Sequence, residues 1–125
     1  MLIDTDVLIW LFRGRASARD AIEQLDSIQL SAITYMEMVQ GMRNKEELRL
    51  FRRTIHDRQW TIIPLNENIS HRATVYIENH ALSHGLTMAD SLIAASALES
   101  GFPLMSANVK HYRVITELTL LPYRP

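Results

Sequence analysis

Short apolar runs alternate along this chain with longer amphipathic stretches, and no Asn-Gly or Asp-Gly turn joins two such runs. Strands that alternate with helical patterns, without hairpin signals, predict a parallel α/β sheet covered on both faces by helices. The expected strands are Leu2–Ile3, Ile28–Ser31, Trp60–Leu65, Pro103–Ser106 and Leu118–Leu121. They are short and almost wholly apolar, which fits strands buried on both sides. Between them, helices are expected at Val7–Phe12, Ala16–Asp26, Thr34–Met42, Glu46–His56, from Asn66 to about His84, and at Met88–Ser100. Gly85 and Gly101 stop the last two, and Asn66 is placed to cap the long one. The Met88–Ser100 stretch is rich in alanine and apolar on several sides, so it is predicted to be central. The expected fold is therefore a three-layer α/β/α arrangement around a short-stranded, mostly parallel sheet.

Residues 1–125 are expected to form one domain, because 125 residues carry no repeat, no low-complexity segment and no Pro/Gly/Ser linker. Hydrophobic residues make up 47% and charged residues 22%, which excludes a disordered chain. There is no cysteine, which excludes thiolate-bound zinc, an iron–sulfur cluster and a thiol nucleophile. No apolar run is long enough to span a bilayer, and the N-terminal residues lack the basic region and small-residue cleavage site of a signal peptide. A cytoplasmic location with no membrane partner is the expectation. The net charge of −1 cannot draw in a polyanion by itself, so any nucleic acid must be held by a local patch or through metal ions.

The informative residues stand where strands end and helices begin. Asp4 ends the first strand, with Thr5 and Asp6 behind it. Glu37 and Asp90 lie in the expected first turns of two helices, and Ser106 and Asn108 follow the fourth strand. In open parallel sheets such positions gather at the carboxyl edge, near a switch in strand order. Two carboxylates ~5 Å apart at an effective dielectric of ~20 repel by about 3 kcal/mol. A fold tolerates this by protonating one group or by binding a cation. All-oxygen ligands with few candidate nitrogens favour Mg²⁺ or Mn²⁺, and such an ion serves phosphodiester hydrolysis. Each acid taken singly has another reading. Thr34 to Glu37 and Thr87 to Asp90 both match the capping box, Asp4 suits an Asx turn, and Asp6 suits the N-cap of the following helix. Ser106 reads equally as a hydroxyl that satisfies backbone groups and as one that faces the acids.

Four segments resemble the motifs of PIN domains, and of VapC-type toxins of toxin–antitoxin pairs in particular. They are Leu2 to Ile9, Ser31 to Gly41, Ala89 to Ala97, and Ser106 to Tyr112, in that order over nearly the whole chain. The resemblance implies a metal-dependent ribonuclease in which Asp4, Glu37 and Asp90 hold Mg²⁺ or Mn²⁺. It implies that Asp6 binds metal through water and that Ser106 faces the acids. The fourth motif departs from the fullest pattern, since neither Asn108 nor His111 is an acid; Asn108 still offers a carbonyl oxygen to a metal-bound water. The resemblance also implies a homodimer and a cognate VapB-like antitoxin. The run Val7–Phe12 is more apolar than one buried helix needs, which hints at such an interface.

Arginine outnumbers lysine eleven to two, and Arg43, Arg49, Arg52 and Arg53 fall in one stretch. As a patch they read as an edge that contacts RNA phosphates; singly, as a solvated helix face with i,i+4 pairs. His80 and His84 share a helix face but have no third ligand in view. Most of the six methionines are expected in the core. Two other functions stay open at this point: a non-catalytic PIN-like module that binds RNA or protein, and a metal-dependent phosphatase acting on small molecules.

Overall fold

In a computed structural model of residues 1–125, five strands form one parallel sheet in the order β3-β2-β1-β4-β5. The strands are β1 (Leu2–Ile3), β2 (Gln29–Ser31), β3 (Thr61–Ile63), β4 (Leu104–Ser106) and β5 (Leu120–Pro122). The helices are α1 (Thr5–Phe12), α2 (Ala16–Glu23), α3 (Ala32–Gln40), α4 (Lys45–Asp57), α5 (Glu67–His84), α6 (Met88–Ser100) and α7 (Val109–Tyr112).

Successive side chains of a strand point to opposite faces, and β1 divides the core in two on that basis. Leu2 packs with Ile69, Ala73, Tyr76, Ile93 and Tyr112, from α5, α6 and α7. Ile3 packs with Val7, Leu8, Ala18, Met38 and Phe51, from α1 to α4. Leu104 and Met105 of β4 repeat the split. This alternation produces the three-layer α/β/α arrangement that the sequence predicts. Helix α6 is buried along most of its length, at Ser91 and from Ile93 to Ala97, as its all-round apolar character requires.

Three expectations need correction. Burial on both sides holds for β1, β2 and β4 but not for β3 and β5, which lie at the sheet edges and are largely exposed. An edge position also explains how β5 accommodates Pro122, which has no N–H to donate. Helix α7 has no counterpart in the sequence reading, because four residues are too few to show a helical period. Met38 and Met105 are buried, but Met36 is 52% and Met88 73% exposed.

Helices α5 and α6 end where glycine was expected to stop them, with Gly85 at φ +67° and Gly101 at φ +75°. A Cβ at Gly101 would meet nothing within 4 Å, so the only cost of alanine there is the left-handed backbone. Gly101→Ala is expected to lower stability by about 1–2 kcal/mol, read as a shift in the urea midpoint at unchanged slope.

Candidate functional site

The chain runs outward from β1 to β3 on one side of the sheet and returns to β4 and β5 on the other. The switch therefore falls between β1 and β4. Asp4 leaves the carboxyl end of β1, Ser106 ends β4, and Ser106 Oγ donates to Asp4 Oδ2 at 2.7 Å. Asp4 is the N-cap of α1, its Oδ1 accepting from Thr5 N at 2.8 Å. Asp6, expected as that cap, instead lies in the first turn. One of its oxygens, Oδ2, accepts from Ala107 N at 3.0 Å. The other, Oδ1, is buried and has no hydrogen-bond partner.

Asp90 stands where the Thr87 cap predicts, with Thr87 Oγ1 accepting from Asp90 N at 3.1 Å. The Asp90 carboxylate does not return the bond to Thr87. It turns toward α7, where Tyr112 OH donates to Oδ1 at 3.3 Å and His111 Nδ1 lies 3.6 Å from Oδ2. The capping box therefore explains the backbone of Asp90 and not its side chain.

Glu37 lies one turn deeper into its helix than expected. Ser31, not Thr34, is the N-cap of α3, and its Oγ accepts from Ile33 N at 3.1 Å. The difference arises because Ser31 ends β2 in extended backbone, whereas Thr34 is already helical and buried. Glu37 has no capping role. Its Oε1 accepts from Thr5 Oγ1 at 2.7 Å, and Thr34 Oγ1 lies 3.1 Å from the same hydroxyl. Thr5 thus links the Glu37 carboxylate to the residue that follows Asp4.

The electrostatics agree with this crowding. Asp4 is 5% exposed. Burial first, and the neighbouring Asp6 carboxylate second, push its carboxyl up to about 7, against the hydrogen bonds from Ser106 and Thr5. Burial raises Asp6 as well, and the charge of Asp90 adds to the rise at both. Burial, then the Asp4 and Asp90 charges, push the Tyr112 hydroxyl far above its ordinary value, so it remains a proton donor. Asp4, Asp6, Asp90, Ser106 and Tyr112 thus form one coupled group, and Thr5 brings Glu37 to its edge.

An unpaired buried oxygen on Asp6, beside an Asp4 whose charge is opposed by its surroundings, fits a hard cation that accepts carboxylate oxygens. No three His, Asp or Glu side chains lie close enough together to share one ion. That suits Mg²⁺, which is held by one or two carboxylates and keeps several waters. Asn108 does not face the acids through its nitrogen: Nδ2 lies 2.9 Å from His111 Nδ1, and its backbone N donates to Ser106 Oγ at 2.9 Å. The oxygen Oδ1 is its only remaining polar contribution.

Thr5, Thr34 and Tyr112 are site residues that the sequence reading did not single out. Thr5 could have been found from its place between two acids at a strand end. Nothing local marks Tyr112, whose role depends on the fold of α7. The arginines at and within α4 form no hydrogen bond or ion pair with Asp4, Asp6, Glu37 or Asp90. Arg43 bonds Glu47 at 2.8 Å and Arg49 bonds Glu46 at 2.7 Å, as expected of a solvated helix face, while Arg52 and Arg53 are exposed and have no acidic partner. His80 and His84 stack edge to face, with ring centroids 5.7 Å apart.

A parallel sheet of this order, with acids gathered at its switch point, defines a class that comparison identifies. Residues 1–116 match the PIN domain model, and the chain belongs to the PIN domain family. It is 30% identical over 122 residues to Ribonuclease VapC10 of Mycobacterium tuberculosis, covering 94% of this chain and 90% of that protein. Ribonuclease VapC1 of Methanocaldococcus jannaschii is 26% identical over 129 residues, covering 98% of this chain and 86% of the relative. Among solved structures, a toxin–antitoxin complex from Klebsiella pneumoniae includes a chain with a TM-score of 0.84 at 27% identity, covering 99% of this chain and 98% of that one. No helix is long and apolar enough to cross a membrane.

Proposed function

We propose that this chain is a VapC-type endoribonuclease that hydrolyses RNA phosphodiester bonds with Mg²⁺ or Mn²⁺ at the acids Asp4, Glu37 and Asp90, one or two of which would bind the ion directly and the rest through its waters. The observation that carries the proposal is the coupled acidic group at the β1/β4 switch point, with its unpaired Asp6 oxygen, in a PIN domain related to Ribonuclease VapC10. A divalent cation at such oxygens polarises water and neutralises charge on a phosphate.

The chain's own residues prepare the site. Ser106 spends its one hydroxyl hydrogen on Asp4 and fixes that carboxylate. Ala107 N holds one oxygen of Asp6 and leaves the other for the cation or its water. Thr5 fixes Glu37, and Tyr112 fixes Asp90. Each acid keeps lone pairs to orient a water for attack on phosphorus. Asn108 contributes its carbonyl oxygen to that water network in place of a fourth acid. Arg52 and Arg53, with Arg43 and Arg49 beside them, supply a secondary edge for RNA phosphates.

We assign the chain to the toxin side of a VapBC-like pair, acting in the cytoplasm, held inactive by a VapB-like antitoxin and assembling as a homodimer. Two features support these partners. Ile9 of the apolar first helix is 36% exposed and Met36, beside Glu37, 52%. The related Klebsiella structure is itself a toxin–antitoxin complex.

Incubation of purified protein with total cellular RNA tests the assignment. Discrete fragments are expected with Mg²⁺ or Mn²⁺ and none with EDTA. Intact RNA in every lane, with bound antitoxin excluded by mass spectrometry, would instead favour a binding module. The absence of an acid from the fourth motif is the observation that favours that second reading.

A further inference from the structure

We propose that a basic depression beside Asp90 holds a phosphate of the RNA strand flanking the scissile one. This subsite rests on the ribonuclease reading above. The depression is about 650 Å³ and is lined by Ser83, His84, Lys110, His111, Arg113 and Val114. It lies between the end of α5 and the α7 segment, and its lining includes no carboxylate. His111 belongs to both places: it forms part of the wall, and its Nδ1 lies 3.6 Å from Asp90 Oδ2. The depression therefore adjoins Asp90 through the His111 side chain.

Three features select a phosphate as its ligand. Asp4, Asp6 and Asp90 repel a polyanion, and the net charge of −1 supplies no general attraction, so a strand at the acids needs cations where it leaves them. Lys110 and Arg113 are exposed, and no Asp or Glu forms an ion pair with either. Arg43, just before α4, and Arg49 on it are, by contrast, already paired with glutamates. Arginine grips a phosphate through two parallel N–H bonds, and lysine adds a point charge. The Ser83 hydroxyl lies 2.7 Å from His84 Nδ1, which fixes that ring and leaves Nε2 for a ligand. The volume falls within the range of ~300–1,000 Å³ typical of ligand sites.

Binding of a short fluorescent single-stranded RNA, followed by anisotropy from 50 to 200 mM salt, tests the subsite. Asp90→Asn serves as the parent so that the RNA stays intact. Adding Lys110→Gln and Arg113→Gln is expected to weaken binding about tenfold at low salt. The slope of log affinity against log salt should shrink by about 0.7, the loss of one neutralised phosphate. Arg19→Gln, an exposed cation on α2 in the opposite helical layer, should change neither. Unchanged affinity and slope in the Lys110/Arg113 variant overturn the subsite while leaving the ribonuclease reading intact, provided the wild type still cuts RNA. RNA neither bound nor cut by any form overturns both.

Discussion

Asp90→Asn is expected to reduce RNA cleavage by roughly a thousandfold or more while leaving the circular dichroism spectrum unchanged. The size follows from what the carboxylate does. A cation at the reacting phosphate is worth several kcal/mol of transition-state stabilisation, and each 1.4 kcal/mol is about tenfold in rate. The fold should survive because the backbone cap of α6 does not use this side chain: Thr87 Oγ1 accepts from Asp90 N. Asparagine also keeps an oxygen for the Tyr112 hydroxyl, which lies 3.3 Å from Asp90 Oδ1. Cleavage assays beside thermal melts decide the matter. A variant that unfolds, or one that cuts at the parental rate, would make Asp90 a structural residue.

The second large effect concerns stability against pH without metal. Asp4 is raised from 3.8 to about 7 in the folded chain, by burial and by Asp6. Between those two values the folded state keeps a proton that the unfolded state has released, so stability falls as pH rises from about 4 to about 7. Below that window both states are protonated, and above it both are ionised, so the curve flattens at each end. The full shift would correspond to a ceiling of ~4 kcal/mol, of which about 2 kcal/mol is a reasonable expectation after coupling with Asp6. Thermal melts at pH 5 and pH 8 in EDTA should show the loss, and Asp4→Asn should remove most of it. Mg²⁺ should raise the melting temperature more at pH 8 than at pH 5, because the ion competes with the proton for the same oxygens. Melts that do not change with pH, or an equal gain from Mg²⁺ at both values, would contradict this account.

Much of this arrangement can be read from local signals. Leu2–Ile3 followed by Asp4 marks a buried strand ending in an acid, and Thr87 with Asp90 marks the start of α6. Asn66, Gly85 and Gly101 bound the last two long helices as their cap chemistry requires. Where two residues compete for one local role, the choice depends on the surroundings. Asp4 takes the cap that Asp6 could have filled, and Ser31 takes the one assigned to Thr34, because each ends its strand in extended backbone. The contacts that define the site are farther still from local reach. Ser106 meets Asp4 across 102 positions of chain, and Thr5 meets Glu37 across 32. The unpaired Asp6 oxygen and the Tyr112 hydroxyl on Asp90 depend on strand order, which no periodicity encodes.

The central position of β1 has a consequence for synthesis. Asp4 and Asp6 leave the ribosome well before most of the domain, but their strand is paired with β2 on one side and with β4, about a hundred residues later, on the other. Until Ser106 and Ala107 have emerged, Asp4 has only its Thr5 cap bond and Asp6 lacks the backbone donor that holds it. A nascent chain therefore carries the acids before it has the site that arranges them. The site is completed only when β4 joins the sheet, so its assembly waits on the pairing of strands far apart in the chain.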